Sequence, residues 1–138
     1  VGAVLGQING VHAMTDVTGF GLAGHGLEMA RATGVELLVQ GSALPTLDRS
    51  ALEGYHASGC VPGGTRRNFA SYGQDLILDD ASEFTRDLVC DPQTSGGLLL
   101  SVAPAAAKEV EAALAADGGA AAPIGKVMAG AAGCLRVI

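Results

Sequence analysis

The chain has 138 residues, 49% of them hydrophobic but only 4% aromatic, so one domain with a core of Ala, Val, Leu and Ile is expected over residues 1–138. Its net charge is −6 with no basic face, which excludes nucleic acid as a natural partner. No stretch approaches the ~20 apolar residues of a membrane span, and no signal peptide is visible.

In chain order, residues 4–8 read as a helical remnant and residues 11–14 as a short strand leading into Asp16. The next stretch is Met14-Thr15-Asp16-Val17-Thr18-Gly19-Phe20-Gly21-Leu22-Ala23-Gly24-His25. A carboxylate stands between two threonines, followed by a glycine-rich turn and a helix over residues 19–33. Two readings compete here. Asp or Thr before a helix is commonly an N-cap. Alternatively, Asp16 holds Mg²⁺, a hard ion that takes oxygen ligands. Thr18, Gly19 and Gly21 would then line a phosphate or substrate loop at the helix start, where free N–H groups favour anions. Gly19, Ala23, Gly26, Leu27 and Ala30 share one small-sided helical face suited to close packing on a sheet. Gly34 is the expected helix stop.

Residues 35–39 read as a strand, residues 41–47 as a connection, and residues 47–55 as a short helix broken by Gly54. Pro62-Gly63-Gly64-Thr65-Arg66-Arg67 reads as a turn into a helix cap, either an ordinary surface loop or an anion-facing one. A strand over 74–78 and a helix over 81–89 with Ser82 as cap follow. Then comes Cys90-Asp91-Pro92-Gln93-Thr94-Ser95-Gly96-Gly97. The Asp-Pro step forces an extended Asp91. Thr94, Ser95, Gly96 and Gly97 have the composition of an anion-binding nest and equally of a tight turn. A strand over 98–103 precedes a helix opened by Pro104 at its first position and stopped by residues 117–119. Residues 124–128 and 134–138 read as two strands joined by a Gly-Ala-Ala-Gly turn. The expected class is α+β, a mixed or antiparallel sheet covered by helices.

Cys60, Cys90 and Cys134 are odd in number and widely spaced, which argues against a disulfide framework or a CxxC metal site. They read as reduced and buried, in a cytoplasmic protein. His12, His25 and His56 lack zinc-ligand spacing and read as structural. Residues 19–24 match G-x-G-x-x-G literally, but no firm strand precedes them and no acid closes the next strand. A dinucleotide-binding fold is therefore rejected.

Three segments together resemble the C-terminal domain of selenophosphate synthetases (selenide, water dikinases). They are residues 13–22 with His25; Val61-Pro62-Gly63-Gly64-Thr65 with residues 67–73; and Leu88 with residues 90–100. The first and third patterns are shared with a wider superfamily that includes aminoimidazole ribonucleotide synthetase and thiamine-monophosphate kinase. The resemblance implies a layered α+β C-terminal half of an enzyme that converts ATP, selenide and water to selenophosphate, AMP and phosphate with Mg²⁺. It implies Asp16 as a metal ligand, a partner N-terminal half that completes the ATP site, and a homodimer of the full-length protein. That half carries the family's reactive Cys or selenocysteine and its Lys. This chain has no counterpart of it, so no catalytic residue is assigned here and the isolated chain is expected to be inactive. The alternatives are a stand-alone nucleotide-binding module and a non-catalytic interaction domain.

Overall fold

The computed structural model describes residues 1–121 and 123–138. Its elements are α1 (Gly2–Leu5), β1 (Val11–Asp16), α2 (Gly21–Thr33), β2 (Glu36–Val39), α3 (Arg49–Ala57), α4 (Gly63–Tyr72), β3 (Leu76–Leu78), α5 (Glu83–Cys90), β4 (Leu98–Val102), α6 (Ala107–Ala116), β5 (Gly125–Met128) and β6 (Cys134–Val137). The class is α+β, as expected.

The strands divide into two sheets. β1 pairs with β4 in an antiparallel ribbon, while β3, β6, β2 and β5 form a mixed sheet in that order. β2 runs parallel to β6 and antiparallel to β5. The two C-terminal strands are therefore not neighbours, because β2 lies between them. β1 and β2 belong to different sheets, which removes the parallel βαβ unit that a dinucleotide site needs.

Helix α2 lies on the mixed sheet. Its buried residues include Ala23, Gly26, Leu27 and Ala30, the small-sided face read from the sequence. A Cβ on Gly26 would stand 2.7 Å from Leu135 Cδ1 of β6, so the missing side chain sets how closely helix and sheet approach. Leu27, Val39, Leu76, Val89, Leu135 and Val137 make the main core. A second cluster, Leu5, Ile8, Ala106 and Val110, packs α1 and α6 beneath the β1–β4 ribbon. Aliphatic side chains fill both clusters almost alone, which follows from the scarcity of aromatics.

Several local expectations hold. Ser82 caps α5 by accepting from Thr85 N–H at 3.1 Å. Gly34 ends α2 in a left-handed conformation, φ 67°. Pro104 opens a 3₁₀ turn that continues into α6. Others do not. α1 is one turn, Gly2–Leu5, because Gly6 caps it. α3 runs through Gly54 to Ala57 without a break; Gly54 points into open space and its helical φ/ψ is accessible to any residue. Thr65 is no cap: α4 starts two residues earlier, with Pro62 at its N-cap position. Of the cysteines only Cys90 is buried. Cys60 is exposed, beyond the end of α3, and Cys134 is intermediate. Among the described residues, no helix is long and apolar enough to cross a membrane.

Candidate functional site

Asp16 is the last residue of β1, and its antiparallel partner is Leu98, the first residue of β4. This register sets the two glycine-rich stretches side by side, although they lie about 80 residues apart in the chain. Val17 N–H donates to Gly97 O at 2.9 Å, and Gln93 N–H donates to Thr18 O at 3.0 Å. Gly96 makes the approach possible. A Cβ there would sit 1.9 Å from Val17 O, inside any allowed contact. The structure thus brings Asp16 and Thr18 against Thr94, Ser95, Gly96 and Gly97 in one surface region.

Neither cap reading survives. The N-cap position of α2 is Phe20, with no side-chain cap, and the helix begins at Gly21, not Gly19. Asp16 is exposed on the ribbon. Among the described residues, no group hydrogen-bonds its carboxylate; the one nearby contact is Thr15 Oγ1 donating to the Asp16 backbone carbonyl at 3.1 Å. Gly21 has φ +70°, and a Cβ on it would lie 2.8 Å from the Cys90 carbonyl carbon and 2.9 Å from the Asp91 oxygen. The start of α2 is therefore pressed backbone to backbone against the end of α5, which only glycine allows.

Helix α4 locks this arrangement, and sequence reasoning did not find it. Asn68 donates one N–H to Gly19 O and the other to Cys90 O, both at 2.9 Å. Tyr72 donates its hydroxyl to Phe20 O at 2.6 Å. Burial pushes the Tyr72 phenol well above its usual pKa, so it stays a donor at any working pH. Thr65 donates to Asp91 Oδ1 at 2.8 Å, and the Gln93 amide donates to Asp91 Oδ2 at 3.1 Å. The available signal was spacing. Thr65, Asn68 and Tyr72 stand at i, i+3 and i+7, a polar stripe on one helical face where apolar residues would be expected.

Residues 94–97 are all exposed. Among the described residues none of their N–H groups donates to a backbone carbonyl. Two side-chain hydroxyls and four N–H groups without a hydrogen-bond partner among the described residues thus lie on the exposed loop next to the end of β1, where Asp16 carries a carboxylate that is also without one. The first set suits an anion and the second a cation. Asp16 fits Mg²⁺ as one oxygen ligand. No group of three or more His, Cys, Asp or Glu able to hold a metal occurs among the described residues, so the remaining shell falls to water and to groups outside this chain.

His25 is 8% exposed and bonded at both ring nitrogens, to Thr18 Oγ1 at 3.0 Å and Glu28 Oε2 at 3.2 Å. His56 contacts Asp87 Oδ2 at 3.0 Å. His12 is exposed. Arg66 and Arg67 sit on the exposed side of α4, not on a loop. Arg66 lines a cavity of about 320 Å³ with His56, Val61, Glu83, Arg86 and Asp87. None of the predicted site residues lines that cavity. Its charges are largely paired: Arg86 donates to Asp87 Oδ1 at 2.6 Å and to Glu83 Oε1 at 3.0 Å. The predicted site residues lie at the end of the β1–β4 ribbon instead.

Comparison with known proteins gives the family. Selenide, water dikinase of Yersinia pseudotuberculosis is 52% identical over 126 residues, which cover 91% of this chain and 35% of that protein. The enzyme of the same name from Aeromonas hydrophila is 50% identical over 129 residues, 94% of this chain and 36% of the relative. That of Escherichia coli K12 is 53% identical over 117 residues, 85% and 33%. The chain therefore spans about a third of the length of the curated relatives it matches. The family model described as AIR synthase related protein, C-terminal domain, matches residues 1–138, and this chain belongs to that family.

Proposed function

We propose that the chain is the C-terminal part of an ATP-dependent selenophosphate synthetase, which forms selenophosphate, AMP and phosphate from ATP, selenide and water. The observation that carries this reading is the meeting of Asp16 with the 94–97 loop at one end of the ribbon, in a chain at least 50% identical to proteins named selenide, water dikinase. Phosphoryl transfer asks a protein mainly for positioning and charge neutralisation. A lone carboxylate beside a row of free N–H groups supplies part of each.

Asp16 would hold Mg²⁺, which when bound neutralises charge on phosphate oxygens. Thr94, Ser95, Gly96 and Gly97 offer hydrogen-bond donors to a phosphate group. Asn68 and Tyr72 tie down the Gly19, Phe20 and Cys90 carbonyls next to these residues, and the Asp91 carboxylate holds Thr65 and Gln93. Met14, Phe20 and Leu98 leave apolar surface exposed around Asp16, and this rim supports a covering partner, the protein's own N-terminal half. In the same proposal the full-length enzyme is a homodimer in the cytoplasm, residues 1–138 form one domain of it, and the isolated chain is inactive.

A chimera tests the proposal. The matching C-terminal third of the Escherichia coli relative is replaced by this chain, and selenide-dependent AMP formation is followed. Activity in the chimera, lost in Asp16→Ala with the fold intact, is expected. AMP formation by the 138-residue chain alone, or a fully active Asp16→Ala chimera, would overturn it.

A further inference from the structure

We infer that His25 is a positioning residue: with Glu28 it fixes the Thr18 hydroxyl as a hydrogen-bond acceptor on the Asp16 side, where it receives a hydrogen from the water shell of a divalent cation. The inference rests on the cation reading of Asp16 proposed above. It moves Thr18 from the phosphate-facing set to the cation-facing one.

The argument is an inventory of protons. His25 is 8% exposed, and each ring nitrogen has one partner. An ionised Glu28 carboxylate only accepts, so Nδ1 carries the hydrogen of that 3.2 Å contact. In a neutral ring Nε2 is then an acceptor, and the 3.0 Å contact must be Thr18 O–H donating to it. A hydroxyl has one hydrogen and two lone pairs. With the hydrogen committed inward, Thr18 offers only lone pairs outward. The Phe20 ring stands edge-on to the imidazole, centroids 5.9 Å apart, and supplies no competing hydrogen-bonding group.

Orientation follows from alternation. Asp16 and Thr18 are exposed while Val17 between them is 8% exposed, so the burial alternation of β1 continues one step past its end and leaves both flanking residues toward solvent. That side presents a carboxylate and a hydroxyl oxygen, both acceptors. It repels a phosphate oxygen. It suits the outward hydrogens of waters on Mg²⁺, and a single protein carboxylate leaves most of that shell as water.

Two readouts on the chimera described above, in which the rest of the cation shell is present, test this. ¹⁵N NMR of the His25 ring is expected to show Nδ1 protonated and Nε2 bare, with the Nε2 signal moving in Thr18→Val. An Nε2-protonated ring or an imidazolium overturns the inference. Mn²⁺ is the cation probe, followed by paramagnetic broadening of amides near Asp16, which reports small fractional occupancy. Thr18→Val and His25→Leu should each weaken binding about five- to tenfold, the effect of one hydrogen bond. The double variant should be no weaker than Thr18→Val. His25→Gln, whose amide oxygen can take the Thr18 hydrogen, should recover most of the loss, and it carries the test if His25→Leu does not fold. Unchanged Mn²⁺ affinity in His25→Gln and His25→Leu alongside a loss in Thr18→Val, or additive losses in the double variant, overturns the positioning role. A wrong tautomer with Asp16-dependent broadening sinks this inference alone. The expected tautomer without broadening sinks the cation reading, and the role of Thr18 with it.

Discussion

Replacing Gly96 by Ala tests whether the two motifs meet as described. The added Cβ would stand 1.9 Å from Val17 O, so the strands must part by about 1.5 Å to restore ordinary contact at 3.4 Å. Val17 O is a backbone atom one residue past the β1–β4 ladder and cannot swing aside as a side chain could. The opening stretches Val17 N–H to Gly97 O, now 2.9 Å, and Gln93 N–H to Thr18 O, now 3.0 Å, beyond hydrogen-bond range. Two hydrogen bonds at about 0.5–1.5 kcal/mol each give a loss of roughly 1–3 kcal/mol. Gly97 is the internal control: nothing lies within 4 Å of its Cβ position and its φ is not positive, so Gly97→Ala should be neutral or stabilising by about 0.4–1 kcal/mol. Urea unfolding gives the stabilities. Amide exchange gives the location, since Val17 and Gln93 should lose protection in Gly96→Ala while Leu27 and Leu135 keep it. Equal stability and unchanged exchange in the two variants would refute the juxtaposition itself.

Other consequences follow from the same contacts. Asn68→Ala removes both clamps on the Gly19 and Cys90 carbonyls and should lower stability by about 2–3 kcal/mol in urea unfolding; Asn68→Asp, of equal shape, should cost more because it faces two carbonyls with acceptors. The Arg136 guanidinium, aided by the Ala131 N–H, holds the Glu36 carboxyl below its ordinary value of 4.5 against the opposing effect of burial. A depressed carboxylate stabilises the fold fully above its unfolded-state value and loses that contribution as pH falls through the folded-state one. The stability gap between wild type and Glu36→Gln should therefore be flat at neutral pH and shrink below 4.5; a gap that stays constant in acid would contradict the pairing. Burial pushes the Cys90 thiol up to about 11, whereas Cys60 is exposed. Thiol labelling of the native chain should modify Cys60 first and Cys90 only on unfolding.

What the sequence reveals is local. Ser82 as a cap, Gly34 as a stop, Pro104 as an opener and the small face of α2 each depend on neighbours within about one or two helical turns, and each stands where the pattern put it. The fold class followed from the same elements. The candidate site was legible as two separate stretches and not as one place. Their union depends on the β1–β4 register, a pairing of Asp16 with Leu98 that no one-dimensional period encodes. The insertion of β2 between β5 and β6 escaped for the same reason. Cap logic misleads at Thr65, where a hydroxyl near a helix start reads as a cap but donates instead to Asp91, 26 residues on. The clamp by Asn68 escaped because an amide on a helix reads as surface until its two carbonyl partners, 49 and 22 residues away, are known.

The distribution of constraint argues for function where the sequence leaves two readings of Asp16. A capping aspartate would be held by the helix it serves. Among the described residues nothing bonds to the Asp16 carboxylate, so its side chain contributes no bond to the fold seen there. The residues around it are the opposite. Gly21 takes a conformation and a contact closed to other residues, Gly96 admits no side chain at all, and Asn68 spends both its hydrogens on the Gly19 and Cys90 carbonyls. Such restrictions cost conformational entropy and tolerance to mutation, and they secure no exposed apolar surface in return. Their common product is the fixed placement of a carboxylate and four N–H groups that have no partner among the described residues, beside a hydroxyl in contact with His25. Groups left unpaired on a rigidly defined surface are what a charged ligand requires, since the protein then has no hydrogen bonds of its own to break on binding. The donor set is too small to hold Mg²⁺ and a phosphate chain unaided, and that shortage is the physical reason to look for the rest of the site on a second half of the protein.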